Sequence, residues 1–305
     1  MKAGTNLEKV LDSGRFAVTA EAGPPKGTST AVVQRKGELL RNCCDAVNVT
    51  DNQTAIVRMC SLAGSIILKQ QGVDPVMQIV CRDRNRIAIQ SDVLGAAASG
   101  IGNVLCLSGD HQRFGNHPTA RGVFDIDSIQ LIAALKNMRD EKKFLSGEDI
   151  SGEVPLFIGA AANPFADPLE FRVTRLAKKA RAGADFIQTQ AVYDIPRFAR
   201  WMEMATERGL DSQVHILAGV IPIRSVGMAR YMRDYVSGVS VPDAIITRLE
   251  EAKNAKEEGL VIALEIIEQV KEIPGIHGVH IMAVGWEDIV PEMVEKAGLM
   301  PRPVL

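Results

Sequence analysis

Short apolar runs that stop on turn residues constrain this chain most. In residues 102–110, GNVLCLSGD, the side chains of Val104, Leu105, Cys106 and Leu107 form an unbroken apolar stretch, which ends at Ser108-Gly109-Asp110. A run this short, with no polar alternation, suits a strand buried on both faces. In parallel α/β sheets the chemistry gathers beyond the carboxyl ends of the strands, which places Asp110 at the mouth of a site. From this stretch alone, an aspartate that only caps a turn or a helix fits equally well.

The pattern recurs along the chain. Phe16–Glu21, Asp45–Thr50, Pro75–Cys81, Val154–Ala161, Asp185–Gln190, Val214–Val220 and Gly278–Val284 read as seven further strands. Helical periodicity fills the intervals, at Ala31–Leu40, Ala55–Lys69, Ile87–Ala98, Asp127–Met138, Ser225–Tyr235, Pro242–Lys253, Lys256–Lys271 and Trp286–Ala297. A helix with Asp167 as N-cap, Pro168 in its first position and Glu170 completing a capping box is expected to run to Gly183. Phe198, Trp201, Met202 and Ala205 mark the core stripe of another. Eight strands alternating with helices predict an α/β fold, a (βα)8 TIM barrel with extra helices inserted before the last strand, the insertion being 239–271. A barrel of this kind takes about 250 residues, so the 305 residues are expected to form a single domain, 1–305. An open doubly wound sheet is the other candidate; it lacks support because neither a G-x-G-x-x-G turn nor a P-loop is present.

Composition excludes several function classes. A net charge of -2 gives no electrostatic case for nucleic acid. No apolar run nears the roughly 18 residues that span a bilayer, and the polar start MKAGTNLEKVLDSG has no signal-peptide core. A cytoplasmic protein with no membrane partner is therefore expected. The five cysteines are odd in number and lack C-x-x-C spacing, so they read as buried, reduced thiols. The histidines at 111, 117, 215, 277 and 280 form no evident metal triad, and no metal is expected.

A barrel would collect Glu21, Thr50, Gln78 to Cys81, Ser108 to Asp110, Ala160 to Asn163, Gln190 and Pro222 to Arg224 on one face. Glu21 and Asp110 are a carboxylate pair in which one can donate a proton while the other stays charged. Gln190 carries a donor and an acceptor for an amide-like heterocycle. No strand ends in lysine, which argues against a Schiff-base aldolase. The loop 111–122, rich in Gly, Pro, Arg and His, is long enough to be functional. Each residue also has a plainer reading: Glu21 as a loop acid, Gln190 bonded to backbone, Thr50 as a β-branched strand residue, Lys179 as a solvated helix lysine, and His111 and His117 as loop residues.

Five segments together resemble the methylenetetrahydrofolate reductase family: TAEAGPPKG around Glu21, DAVNVTDN through Thr50, LCLSGD through Asp110, ANPFADP, and AGADFIQTQAVYD through Gln190. They occur in family order and spacing. The resemblance runs over nearly the whole chain and is strongest from Phe16 to Phe198. It implies a flavin-binding barrel, with FAD as the usual cofactor and FMN as the alternative, that reduces 5,10-methylenetetrahydrofolate to 5-methyltetrahydrofolate in one-carbon metabolism. It implies that Glu21 is the general acid that opens the five-membered ring to an iminium ion, and that reduced flavin delivers hydride to the methylene carbon. Asp110 would stabilise that cation, and Gln190 would bind the pterin together with Asp110 and Glu21. Thr50, Gln78, Leu107, Ser108, Gly109, Asp110, Phe124, Ala160, Asn163 and Lys179 occupy positions similar to flavin contacts. Ring opening needs an acid on the leaving nitrogen and a fixed anion for the cation, so the resemblance and the strand-end chemistry agree.

The chain departs from the family where a histidine is replaced by Gln78 and an aromatic residue by Ala191, and where Val226 and Trp286 align with a nucleotide-stacking aromatic and a folate-associated arginine. These departures leave two electron sources open, NAD(P)H or an electron-donating partner subunit, the latter in an oligomer or hetero-complex. Two other functions stay open: a pterin-binding methyltransferase barrel without flavin, and a subunit of a larger complex inactive alone. A flavin spectrum in the purified protein separates the first from the family reading.

Overall fold

All eight apolar runs become strands in the computed structural model, which describes residues 1–236 and 238–305. They are β1 (Ala17–Ala22), β2 (Ala46–Val49), β3 (Pro75–Val80), β4 (Asn103–Leu107), β5 (Phe157–Ala162), β6 (Phe186–Ala191), β7 (His215–Val220) and β8 (Gly278–Ile281). Each pairs in parallel with the next, and β8 closes on β1 through registers such as Thr19 with His280. The result is the expected (βα)8 barrel. Its helices are α1 (Asn6–Asp12), α2 (Thr30–Leu40), α3 (Ser61–Gln70), α4 (Arg86–Ala98), α5 (Ser128–Asp140), α6 (Leu169–Ala182), α7 (Ile195–Thr206), α8 (Val226–Tyr235), α9 (Asp243–Glu251), α10 (Ala255–Lys271) and α11 (Val290–Lys296). Among the described residues no helix is long and apolar enough to cross a membrane.

The strands are apolar on both faces because both faces are covered. Val18, Val47, Met77, Val104, Ile158, Ile187, Ala218 and Val279 point outward into the shell of helices. Ala17, Ala46, Val76, Leu105, Phe157, Phe186 and Leu217 point inward and form one layer at the lower end of the barrel. Leu7, Val10 and Leu11 of α1 fill the floor beneath that layer. These three apolar side chains follow i, i+3, i+4 spacing, and burying each is worth about 1.5–3 kcal/mol. Thr5 caps this short helix by accepting the Glu8 N–H.

Four local expectations are corrected. The helix expected from Ala55 starts at Ser61, because Thr54 and Ala55 sit at φ 56° and 55°, outside right-handed helical space. Asp167 does not cap α6: Pro168 occupies the cap position with ψ 145° and no side-chain cap bond, while the Asp167 carboxylate accepts Arg197 Nη2 at 2.6 Å. The ring position against β7 and α7 belongs to α10, and α8 packs on α9, so the excursion from the barrel is α8–α9 rather than α9–α10. Of the cysteines, Cys60 is exposed and the other four are buried. Gly183 does end α6, at φ 114°.

Candidate active site

Side chains alternate along each strand, so every second residue faces the barrel interior. At the carboxyl ends the inward phase supplies Glu21, Gln78, Leu107, Ala161, Gln190 and His280 to a cavity of about 310 Å3. A second cavity of about 220 Å3 adjoins it, sharing Leu107, Ser108, Ala161 and Gln190, and extends towards Asn163, Arg172, Arg175 and Lys179. The site is therefore one groove across the barrel mouth, with carboxylates at one end and cations at the other.

Glu21 lies between an amide and an imidazole. Gln78 Nε2 donates to Glu21 Oε1 at 3.3 Å, and His280 Nε2 lies 3.7 Å from the same oxygen. The Glu21 side chain is 13% exposed, open enough to meet a ligand and enclosed enough to be held. His280 is in turn tied through Nδ1 to Thr19 Oγ1 at 2.9 Å. Beneath them Gln188 bonds both Asn48 and Thr19 across the barrel, tying this polar layer together.

Asp110 sits just past β4, exposed at the cavity rim. Its Oδ2 accepts the N–H of Thr54 at 3.0 Å, and its main-chain carbonyl accepts Arg82 Nη1 at 2.9 Å. Three non-glycine residues of the adjacent 52–55 loop have positive φ: Asn52 at 44°, Thr54 at 56° and Ala55 at 55°. Such conformations cost of order 1–3 kcal/mol each and collect where a site constrains the backbone.

At the cationic end, Lys179 Nζ donates to the Ala161 carbonyl. Burial, helped by the positive charge of Arg175, pulls the Lys179 ammonium from 10.5 down to about 8, with Cys106 and Asp127 opposing. A half-hidden cation with neighbouring arginines suits an anionic group.

Of the residues singled out from sequence, Glu21, Gln78, Leu107, Ser108, Gly109, Asp110 and Gln190 line the larger cavity, and Asn163 and Lys179 line the smaller. Thr50, Phe124 and Ala160 line neither. Ala160 has the outward phase of β5 and packs into the helical shell, and its neighbour Ala161 faces the groove. Phe124 is 44% exposed at φ 42°, its N–H donating to Cys81. Thr50 is buried with Oγ1 unpartnered. His111 and His117 lie outside both linings, as does Arg224, which bonds Gly285 instead. Sequence reasoning missed His280, Gln188 and Arg82; the alternation Gly278, His280, Met282 was the available signal for the first.

The family model for methylenetetrahydrofolate reductase matches residues 6–298. Methylenetetrahydrofolate reductase 1 of Schizosaccharomyces pombe is 24% identical over 236 residues, covering 75% of this chain and 36% of that protein. The 5,10-methylenetetrahydrofolate reductase of Salmonella typhimurium is 20% identical over 239 residues, 77% of this chain and 74% of that one. Against the first curated relatives, all from yeasts, the alignments span about a third to a half of their length. Among solved structures, an uncharacterized protein from Clostridium thermocellum that binds two copies of 5-methyl-5,6,7,8-tetrahydrofolic acid superposes with a TM-score of 0.68 at 13% identity, covering 96% of this chain and 100% of that one. At that identity the likeness is one of fold.

Proposed function

We propose, from the premise that the chain belongs to the methylenetetrahydrofolate reductase family, that it is a flavin-dependent reductase of 5,10-methylenetetrahydrofolate. The observation that carries this reading is the convergence of Glu21, Asp110 and Gln190 on one groove whose far end is cationic. The folate bound by the Clostridium thermocellum neighbour supports the same substrate class on the same fold.

Two features of this chain fit a flavin. The Arg172, Arg175 and Lys179 end offers charge to its phosphate, and Asn163 and Ser108 offer polar groups along the groove. Lys179 and Asn163 would hold the cofactor from the α6 side, with Leu107, Ser108 and Gly109 supporting it from the end of β4. When bound, a flavin supplies hydride.

The protein's own groups supply the acid–base chemistry. Gln190 presents an amide donor and acceptor to the pterin ring. Glu21, in its acid form, gives its proton to the ring nitrogen that leaves as the five-membered ring opens. Gln78 and His280 keep its carboxyl group aimed into the groove. Asp110 remains an anion and favours the cationic iminium carbon that ring opening creates.

We infer an electron-donating partner from the groove's lining and the chain's departures from the family. Among the described residues no Phe, Tyr or Trp lines either cavity. Ala191 is buried, Val226 packs against the core, Phe165 packs against Phe198, and Trp286 lies under Lys256 Nζ, which is 4.8 Å from its ring centroid. With no ring in these two linings to stack a nicotinamide nucleotide, our reading favours an electron-donating partner over direct NADH. Measuring flavin in the purified protein tests the central reading. Stoichiometric flavin that methylenetetrahydrofolate reoxidises supports it, whereas a colourless protein that takes up no added FAD or FMN refutes it and favours a flavin-free methyltransferase-type barrel.

A further inference from the structure

We propose that Arg82 is a positioning residue for Asp110, acting through the main chain. This inference rests on the role given to Asp110 above. Arg82 follows β3, and its side chain is only 3% exposed although it is a guanidinium at the mouth of a barrel. Hiding that cation is costly unless its N–H groups are satisfied. They are satisfied by partners that hold the site in shape.

Nε and Nη2 donate to the two Asp83 oxygens at 2.7 and 2.6 Å, a forked pair that orients the guanidinium plane. From that plane Nη1 donates to the carbonyl of Asp110 at 2.9 Å, and Nη2 to the carbonyl of Asn52 at 3.2 Å. Two loops, after β2 and after β4, are thus pinned to one side chain. The backbone of Arg82 adds to the hold. Its N–H donates to the Ser108 carbonyl at 3.0 Å, and its own carbonyl accepts the Val123 N–H at 2.7 Å. Gly109 wraps so tightly here, at φ 89°, that a Cβ would lie 3.1 Å from that of Arg82.

The Asn52 contact matters because the 52–55 loop is strained and ends on the Asp110 carboxylate. Asn52 Nδ2 bonds Asp83 at 3.2 Å, and its Oδ1 accepts the Arg58 N–H at 3.0 Å. Thr54 then donates its N–H to Asp110 Oδ2. Arg82 therefore holds both ends of the Asp110 problem, the carbonyl directly and the carboxylate through the loop that bonds it. An ammonium can keep the charge beside Asp83 but cannot reproduce a planar fork that spans two carbonyls.

The test uses the flavin-loaded full chain with four variants: Asp110→Asn, Arg82→Lys, Arg82→Gln and Arg82→Lys combined with Asp110→Asn. Arg82→Lys retains the ion pair, so it carries the test if Arg82→Gln does not fold. The readouts are the rate at which methylenetetrahydrofolate reoxidises reduced flavin, the apparent KM for the folate, the flavin potential and the melting temperature. Misplacing a reacting group by about an ångström can cost on the order of 100-fold in rate. Arg82→Lys is expected to slow reoxidation by roughly 10-fold to 100-fold with KM changed by no more than about twofold. The potential should move in the same direction as in Asp110→Asn, and the double variant should be no slower than Asp110→Asn alone. Arg82→Lys with wild-type rate and potential, beside a slow Asp110→Asn, overturns the inference and leaves the proposed function standing. Fully additive losses, or a fall in melting temperature with no change in potential, overturn it as well. Asp110→Asn at wild-type rate removes the reading of the site and this inference together.

Discussion

Replacing Lys179 with Met should make the unliganded barrel more stable and the flavin-bound one harder to form. Lys179 titrates near 8 in the folded protein against an ordinary 10.5, chiefly through burial. A folded-state value below the unfolded one means that folding disfavours the charged form. The penalty is present in full below pH 8 and is relieved as pH rises from 8 to 10.5. At 1.36 kcal/mol per unit it amounts to roughly 3 kcal/mol at most. Methionine removes the penalty and also removes the hydrogen bond to the Ala161 carbonyl, worth about 1 kcal/mol. The net gain is about 2 kcal/mol, which in a chain of 305 residues corresponds to a melting temperature higher by about 3 °C at pH 7. The difference from wild type should shrink steadily above pH 8. Flavin should bind about 10-fold to 100-fold more weakly, because a charge-assisted bond to its phosphate is lost. Thermal melts of the unliganded proteins across pH 6–10, with flavin fluorescence titrations, check both halves. A variant that melts below wild type at pH 7, or whose difference ignores pH, refutes the burial argument; unchanged flavin affinity refutes the assigned anion contact.

Three further outcomes are expected. Glu21→Gln keeps the Gln78 and His280 contacts possible but has no proton to give, so folate reduction should fall on the order of 100-fold to 10,000-fold while flavin content holds; stopped-flow reoxidation at near wild-type rate removes Glu21 as the acid. Asp110→Asn should slow the same step and raise the flavin potential, since a neighbouring negative charge disfavours anionic reduced flavin; potentiometry showing no shift, with unchanged turnover, contradicts a place beside the cofactor. Isolated, flavin-loaded chain should be bleached slowly by micromolar NADH, because a missing stacking ring costs about 1–3 kcal/mol. Fast, saturable bleaching would restore NADH as the direct donor.

Strand identity was legible because each strand is short, apolar and closed by turn residues, and a barrel needs little else to be recognised. The lumen-facing phase was legible too: Glu21, Gln78 and Gln190 alternate with residues of the outer face. Ala160, which the family resemblance implies as a flavin contact, has the outward phase of β5, and its neighbour Ala161 faces the groove. His280 obeys the same alternation, but no motif or ligand spacing around it marks it as a site residue. Arg82 could not have been found from spacing, since its partners Asn52 and Asp110 lie about thirty residues away on either side. Local propensity pointed to a helix from Ala55, but the bond between Thr54 and Asp110 holds the backbone left-handed there. Asp167 had the composition of a cap, yet an arginine from α7 claimed its carboxylate. Both errors are cases of a distant side chain overriding a nearby preference.

The helix α1 is made long before its seat is complete. Leu7, Val10 and Leu11 rest on inward residues contributed by seven strands, from Ala17 of β1 to Leu217 of β7. Roughly 200 residues must leave the ribosome after α1 before that seat is whole, and at about 5–20 residues per second this takes on the order of 10–40 s. During that interval the apolar side chains of Leu7, Val10 and Leu11 have no complete seat. Docking of α1 can report that β1 to β7 are in place, so protease protection of residues 6–12 during synthesis would time the arrival of the seventh strand, one step before β8 closes the ring.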